Sequence, residues 1–431
     1  MNTFIKITLV AAVLAIASVV RADEVTDWNH TFLHASLIAG ASPPAQNRAG
    51  AILQSAVFDA LNGIERRYEP IHVPANAPRG ASRRAAVAQA AYTILVDLYP
   101  AQKAAFDTQL TASLAALMDG DGDADDESVL RGVAWGQAVA QAIWTWRSTD
   151  GFTSPPPPFV GGTAVGEWRP TPPGFLPFGA LQFATMPPFV LQSPSQSRPA
   201  GPPALTSDTY TADFNESKLM GSATSTTRTA DQTLLTEFWN ASNPSYSWNA
   251  VAVALGAERH TTMSENARLL ALVNLALADA GIACWDAKKA YLFWRPITAI
   301  TLADTDGNPL TVQDAAWTPL LITPNHPDYP SGHSSMSSAA VTVLAHFFGE
   351  HTSFTVDSDV MTEVTRSFSS FSAASSEVND ARVFGGIHFR TAVNDGRALG
   401  KTVAHYILDY AAQAIHGHDG DRDHDDGHGH D

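Results

Sequence analysis

The sequence predicts an all-α protein, and three observations support that prediction. Alanine-rich stretches repeat their apolar residues at intervals of three and four positions, which is the period of a helix. No stretch of any length has a competing two-residue period, which would indicate a half-buried strand. With 45% hydrophobic and 16% charged residues over 431 positions, the chain also has enough apolar surface for a large core. In chain order, the predicted helices are 50–68, 85–98, 101–118, 128–146, 216–223, 231–239, 248–295 with a break near 258–264, 335–349, 360–371 and 388–414.

The first 22 residues have the pattern of an export signal. Lys6 is the only early charge, residues 7–20 are apolar, and residues 20–22 offer a small-residue cleavage site before Asp23. We therefore expect a signal peptide at 1–22 and a secreted or periplasmic protein, with an uncleaved anchor as the alternative. No later stretch is long enough without charges to span a membrane, so we expect no membrane segment in the mature form.

The net charge and the cysteine content argue against several classes of binding partner and exclude an internal disulfide bond. A net charge of -17 without any run of Lys and Arg argues against nucleic acid or an anionic membrane surface as a partner. The one cysteine, Cys284, excludes an internal disulfide and has the apolar surroundings of a core residue. The acidic run 119–127 resembles a calcium-binding loop, but Ala124 and Leu130 occupy the positions that need Gly and Glu. A solvated turn is the better interpretation.

Two segments differ in composition from the helical body. Residues 154–204 are rich in Pro, Gly and aromatic residues, which predicts an ordered excursion over the helices. This excursion either lines a substrate channel or only covers the surface. Residues 416–431 alternate His, Asp and Gly and predict a disordered tail, although loose binding of a transition metal is an alternative.

The loop 325–334 carries the first candidate functional residues. Pro330 favours an extended backbone, Ser331 can cap a helix, and Gly332 lets a backbone N–H approach a ligand. The helix that follows directs free N–H groups and its positive dipole end at the loop, which favours an oxyanion there. His333 adds a titratable group at that position. An ordinary capped turn is the alternative interpretation.

Basic residues and a second histidine flank this loop in the sequence. We predict that Lys288 and Arg295 lie two turns apart on one face of a helix that Pro296 ends. Their neighbours are aromatic, so these cations favour a buried anion over the alternative of a solvated helix face. Further on, Arg382 precedes a Gly-Gly pair and His388 follows it, although a lone histidine there can also be a capping or core residue.

Together these residues form a set suited to a tetrahedral or trigonal oxyanion. Arginine binds oxygens as a fork, lysine acts as a point charge, and a hydroxyl and a backbone N–H complete the cradle. Phosphate and vanadate both fit. One histidine can bond the central atom while the other moves protons on the opposite side. The members of the set are Lys288, Arg295, Ser331, Gly332, His333, Arg382 and His388.

The order and spacing of these motifs resemble a known enzyme family. Lys288 and Arg295-Pro296, then Pro330-Ser331-Gly332-His333, then Arg382 and His388 are similar to the signature of vanadium-dependent haloperoxidases and type 2 phosphatidic-acid phosphatases. Residues 277–282 and Trp285 leading into 293–296 resemble the haloperoxidase branch. The resemblance covers about 270–408, where it implies the active site, within a single helical domain at 23–415 that we expect to form two four-helix-bundle-like halves.

This resemblance implies roles for the residues of the set. Vanadate is the implied cofactor, with His388 bonded to vanadium and His333 as the acid–base group. Lys288, Arg295, Ser331, Gly332 and Arg382 would hold the vanadate oxygens. Hydrogen peroxide and a halide would then give hypohalous acid, which modifies an organic acceptor. His326 and Trp285 would lie on the halide side, and a histidine at 326 favours bromide or iodide, unless it is only a turn residue.

The sequence departs from the family pattern at two positions. Ala381 replaces a serine that often precedes the arginine, and Ala392 replaces an aspartate that would orient the imidazole. Asp395 or a backbone carbonyl is the expected substitute. A soluble exported acid phosphatase with a phosphohistidine at His388 remains the alternative function. A metal-binding or scaffold protein that acts through the tail is a third possibility, and the oligomeric state stays open.

Overall fold

A computed structural model describes residues 23–118, 125–358 and 360–415, and this part of the chain is built from helices. The all-α prediction is confirmed. The predicted signal peptide, the tail 416–431 and most of the acidic turn lie outside the described residues. The helices are α1 Glu24–Ile38, α2 Pro43–Glu65, α3 Arg83–Leu98, α4 Lys103–Met118, α5 Asp126–Arg147, α6 Asp208–Met220, α7 Ala230–Ala241, α8 Pro244–Glu258, α9 Met263–Tyr291, α10 Pro296–Thr301, α11 Gly332–Phe348, α12 Phe371–Phe384 and α13 Arg390–Tyr410.

Two groups of helices meet along α9. In the first group α2, α3 and α5 pack against one another, and in the second α9, α11 and α13 do so with α12 beside them. The contact between α2 and α9 joins the groups. By length and composition α9 is apolar enough to cross a membrane, but 94% of its most apolar window is buried inside the protein. It is therefore the central core helix, and its C-terminal end leads into the site.

The predicted break between α8 and α9 is present and has a clear cause. The Thr262 side chain accepts the Glu265 backbone N–H, and the Glu265 side chain in turn accepts the Thr262 N–H. This reciprocal pairing satisfies two N–H groups that the first turn of a helix leaves without partners. It starts α9 directly after the turn at 259–261.

The prediction of a helix at 360–371 is wrong. That part of the chain contains β2 Thr365–Phe368, which pairs antiparallel with β1 Phe354–Asp357. Phe354 and Phe368 face each other across the pair, and Phe354 stacks on Phe371. Burial of these rings stabilises a hairpin where the local sequence has no strong strand pattern. The helix begins instead in the Ser/Ala-rich passage, where the Ser370 side chain caps α12. The predicted helix 216–223 is also displaced, since α6 ends at Met220.

The excursion 154–204 is ordered, as predicted, with only a short 3₁₀ turn at Leu181–Ala184. Trp168, Phe178 and Phe183 are buried against the helices. Asp279 of α9 accepts the backbone N–H groups of the three consecutive residues 189–191, at 2.6, 2.8 and 2.9 Å. A chain without regular structure is thereby fixed to the core helix by hydrogen bonds to its backbone.

Candidate functional site

A cavity of about 290 Å³ lies at the N-terminal end of α11 and gathers the predicted site residues. Three more predicted residues, Lys288, Arg295 and Ser331, do not line the cavity but are fully buried next to residues that do. Distant parts of the chain therefore meet at one place, as the motif spacing predicted. The predicted residues on the cavity wall are Trp285, His326, Gly332, His333, Arg382 and His388.

His388 lies between a carboxylate and an arginine. Its Nδ1 is 2.9 Å from Asp328 Oδ1, although the two groups are not aligned as a hydrogen bond. On the other side, Arg295 Nη1 is 3.1 Å from Nε2. Because a guanidinium can only donate, Nε2 is the acceptor and the neutral ring carries its proton on Nδ1. Burial, and then the charge of Arg295, lowers the pKa of His388 well below its usual value. The Nε2 lone pair of the neutral imidazole therefore accepts the hydrogen bond from Arg295.

Arg295 reaches the site by a route different from the predicted one. Helix α9 ends at Tyr291 with Leu292 in the left-handed conformation, at φ 46°. Arg295 is the N-cap of α10, so Pro296 begins a helix rather than ending one. The prediction that Lys288 and Arg295 share one helix is therefore wrong. The Arg295 guanidinium is held by backbone carbonyls, with Nε 2.7 Å from His326 O and Nη1 2.5 Å from Ile387 O.

Lys288 ties the end of α9 to the central loop. Its Nζ donates to Pro327 O at 2.6 Å and to Asp328 O at 3.1 Å. Burial lowers the pKa of Lys288 to about 7, and the nearby Arg295 acts in the same direction. The charged form of this amine is therefore destabilised by the loss of hydration, and a nearby anion would offset that cost.

Arg382 lies in the last turn of α12 and has a neutral partner. Its Nη1 is 3.4 Å from Oδ1 of Asn240, a cavity residue that the sequence analysis did not identify. No described group accepts a hydrogen bond from its Nε. Burial and the charge of Arg295 lower the pKa of Arg382 to about 9. The amide of Asn240 thus contacts the guanidinium without neutralising it.

The buried cations have few counter-charges. In the described part of the chain, no carboxylate lies within 4.0 Å of the Lys288, Arg295 or Arg382 side-chain nitrogens. Asp328 is the buried acid whose charge acts on Lys288 and Arg295. Three buried cations with the acid Asp328 nearby have the charge that a multiply charged oxyanion requires. The donor set, including the unpaired Arg382 Nε and the Nε2 lone pair of His388, therefore fits vanadate.

Asp328 is the main site residue that sequence reasoning missed. Burial raises its pKa to about 7, while the charges of Arg295 and Lys288 oppose that rise. Asp395, the expected substitute for the family aspartate, accepts the Tyr329 hydroxyl at 2.5 Å instead. The carboxylate next to the His388 ring thus comes from the central loop and not from the helix after the histidine. The signal available in the sequence was an acidic residue within a loop whose neighbours are apolar.

The start of α11 is arranged as the loop motif predicted. Ser331 is the N-cap, and its Oγ lies 3.0 Å from Ser334 Oγ and 3.4 Å from Ser334 N. A Cβ added at Gly332 would come within 3.2 Å of the Trp285 ring, so glycine permits the close approach of backbone and indole. His333 makes no hydrogen bond to any described residue. Burial, and then the Arg382 charge, lowers its pKa well below the usual value.

His326 and Trp285 lie side by side in the cavity wall. Their ring centroids are 5.0 Å apart, and the indole N–H of Trp285 donates to Gly179 O at 3.0 Å. His326 Nδ1 is 2.9 Å from Arg295 Nη2 and so acts as the acceptor, which leaves the proton of the neutral ring on Nε2. Gly179 and Ala180 also line the cavity, so the excursion contributes to this wall.

Comparisons with known proteins agree with this geometry. The family model for the VCPO second helical-bundle domain matches residues 268–417, which include every predicted site residue. Vanadium chloroperoxidase from Curvularia inaequalis is 31% identical over 102 residues, which cover 21% of this chain and only 16% of that protein's length. The site-bearing part of the chain is therefore the part that the family model recognises.

Solved structures share the fold over most of the chain. The first bacterial vanadium-dependent iodoperoxidase aligns with a TM-score of 0.75 at 23% identity, over 89% of this chain and 96% of that one. A holo-type bacterial vanadium-dependent chloroperoxidase aligns with a TM-score of 0.67 at 18% identity, over 85% and 91%. Residues 268–417 are therefore a VCPO second helical-bundle domain, and the chain shares the fold of these bacterial vanadium-dependent haloperoxidases over most of its length.

Proposed function

We propose that this protein is a vanadate-dependent haloperoxidase that uses hydrogen peroxide to oxidise bromide or iodide to hypohalous acid. The observation that carries the proposal is the meeting of three buried cations with the imidazoles of His333 and His388 at one cavity, and with the buried acid Asp328 beside them. An organic acceptor would react with the hypohalous acid. Family membership at this distance supports the reaction class, and the site chemistry supports the cofactor.

The donor set divides into groups for the oxygens and one group for the metal. Lys288, Arg295 and Arg382 would balance the charge of vanadate, with the Ser331 hydroxyl and the Gly332 N–H as further donors. His388 is the neutral imidazole of the set that has a carboxylate, Asp328, 2.9 Å from its Nδ1, and its Nε2 lone pair would bind the metal. When bound, vanadate acts as a Lewis acid that activates peroxide without changing its own oxidation state.

Asp328 would keep His388 ready for that role. A carboxylate 2.9 Å from Nδ1 favours the tautomer with its proton there. The lone pair is then on Nε2, where a metal would replace the hydrogen bond from Arg295 Nη1. It also limits rotation of the ring. This is the function that the aspartate missing at Ala392 would have in the family pattern, so the departure noted in the sequence has a local substitute.

His333 is suited to move protons. Its lowered pKa keeps the imidazole neutral near pH 7, where a ring nitrogen can accept a proton from hydrogen peroxide in the cavity. The three cations that lower this pKa also favour return of the proton to a departing oxygen. An imidazole without a hydrogen-bond partner among the described residues is free to do both.

The wall formed by His326 and Trp285 bears on the halide. A neutral histidine with its proton on Nε2 and an adjacent indole form a polarisable surface that suits a large, weakly hydrated anion better than a small one. This supports bromide or iodide. The solved structure described as an iodoperoxidase is in line with that choice, whereas the holo-type structure is described as a chloroperoxidase.

A reconstitution experiment tests the proposal. Protein stripped of metal is mixed with orthovanadate, hydrogen peroxide and iodide or bromide, and triiodide formation or bromination of a phenolic acceptor is measured. We expect vanadate-dependent activity that His388→Ala abolishes and that His405→Ala, a change at an exposed histidine of α13, preserves. Hydrolysis of an aryl phosphate, inhibited by vanadate and without halide oxidation, would instead establish the phosphatase alternative.

We also propose that the protein is exported, on the pattern of residues 1–22 alone. Fractionation of the producing cells, with N-terminal sequencing of the mature chain, tests this. A mature chain that starts near Asp23 outside the cytoplasm is the expected result. Retention of the apolar segment in a membrane fraction would contradict it.

A further inference from the structure

Met336 places a thioether in the wall of the cavity. It lies one turn into α11, three residues after His333, and its methyl carbon is 3.7 Å from the point where a Cβ on Gly332 would be. The residue is only 1% exposed. An oxidant that reaches its sulfur therefore comes through the cavity and not across the outer surface.

A donor and a small space lie next to this sulfur. Nδ2 of Asn47, a buried residue of α2, is 2.6 Å from Met336 Sδ. On the other side is Gly281 of α9. Outside its own helix, the nearest atoms to a Cβ added there would be Met336 Sδ at 3.7 Å and Asn47 Nδ2 at 3.8 Å. The missing side chain leaves room for about one heavy atom beside both the sulfur and the amide donor.

We propose that Met336 is a modification site that is oxidised to the sulfoxide during turnover, with the new oxygen beside Gly281 accepting a hydrogen bond from Asn47. This inference rests on the proposed function, because the oxidant is the hypohalous acid formed in the cavity. The sulfur forms a bond to oxygen, the oxygen–halogen bond breaks, and halide and one proton are released. Sulfur is oxidised by two electrons and the halogen is reduced by two. The product is larger and more polar than a thioether, so it changes the cavity wall next to Gly332.

Peptide mass spectrometry after turnover tests the inference, because the chain supplies its own controls. Met118 is 56% exposed, and Met186 is as buried as Met336 but does not line this cavity. During turnover with bromide, and in parallel with iodide, we expect Met336 to gain one oxygen about ten times faster than either control. Reagent hypobromite added to the bulk solution should reverse the order and oxidise Met118 first. Halide oxidation that proceeds while Met336 stays unmodified, or reacts no faster than Met186, overturns the inference.

Two variants and a parallel assay separate the possible causes. In Gly281→Ala the added methyl fills the space for the new oxygen, so Met336 oxidation should slow several-fold while the thioether itself is retained. In Met336→Leu the loss of activity during prolonged turnover should slow, because the oxidisable group is absent. Halide oxidation is recorded in the same samples. If none occurs, the proposed function fails and this inference fails with it. If halide oxidation proceeds and Gly281→Ala leaves the rate of Met336 oxidation unchanged, only this inference is overturned.

Discussion

Two buried aspartates each accept hydrogen bonds from three consecutive backbone N–H groups of a loop. Substituting them one at a time tests how the cavity wall is held in place. Asp279 of α9 accepts one N–H on Oδ1 and two on Oδ2, from residues 189–191 of the excursion. Asp59 of α2 accepts the N–H groups of residues 71–73 in the same pattern, at 2.8, 2.9 and 2.8 Å. The two sites differ because the segment bound by Asp279 belongs to the excursion that lines the cavity, whereas the segment bound by Asp59 does not line it.

The magnitude follows from the hydrogen bonds lost and the buried charge removed. Replacing either aspartate with alanine leaves three backbone N–H groups without their acceptor, and these groups are part-buried at Asp59 and buried or part-buried at Asp279. The cost is about 1–3 kcal/mol for each group. Removal of the buried charge offsets part of this. Burial raises the pKa of Asp59 from 3.8 to about 6, and this raised pKa corresponds to about 3 kcal/mol of stability that is lost as the pH rises through that value. We expect Asp279→Ala and Asp59→Ala each to lower the free energy of unfolding by about 3 kcal/mol at neutral pH.

Urea unfolding and limited proteolysis together measure the two effects. Unfolding followed by circular dichroism gives the free energy of each variant. Proteolysis mapped to 154–204 then reports how firmly the excursion is held. At similar global stability, we expect this segment to be cut about ten times faster in Asp279→Ala than in Asp59→Ala. Equal cleavage in the two variants, or a change in unfolding free energy below about 1 kcal/mol for Asp279→Ala, would refute the reasoning.

Three further predictions concern the charges of the site. Burial lowers the pKa of Lys288 to about 7, so its ammonium loses a proton as the pH rises through that value. Affinity for sulfate, measured by calorimetry, should therefore fall about tenfold between about pH 6 and 8. An unchanged affinity would contradict this. Asp328→Asn should weaken orthovanadate binding about tenfold in the same assay, whereas Asp395→Asn should leave it within a factor of about two because Asp395 pairs with Tyr329. Asn240→Asp adds an exposed carboxylate beside the cavity and should lower phosphate affinity about fivefold; an increase would show that the amide is not kept for its neutrality.

The helical fold could be predicted because its signals are local. The break before α9 coincides with the reciprocal cap of Thr262 and Glu265, and the excursion has the composition of a chain without helices. The hairpin at 354–368 could not be predicted in this way. Its two strands have four residues each, and their stability depends on Phe354 and Phe368 packing against Phe371 of a later helix. Such contacts leave no period in the local sequence.

The site was predictable where motif chemistry and spacing determine it, and not where the chain path does. Lys288 and Arg295 converge as expected, but the reason differs, because Leu292 takes a left-handed conformation that ends α9 before Arg295. The role of Asp328 depends on the loop and the turn before α13 coming together. That juxtaposition is a tertiary property, and a single sequence shows only that a carboxylate in such a loop needs a partner.

The electrostatics of the site connect its stability with its function. Each of Lys288, Arg295 and Arg382 has its pKa lowered by burial, and the charge of Arg295 lowers the pKa of the other two. These charges therefore cost folding free energy, which the apolar packing of α9 and its neighbours must offset. A bound oxyanion would make these charges stabilising, because each cation then has an opposite charge nearby in a buried site with weak screening. The free N–H groups at the start of α11 act in the same direction. A neutral partner at Asn240 and a single buried acid at Asp328 preserve this positive excess, and a second carboxylate would reduce it. The arrangement thus lowers the stability of the protein alone, and a small, highly charged anion would restore it.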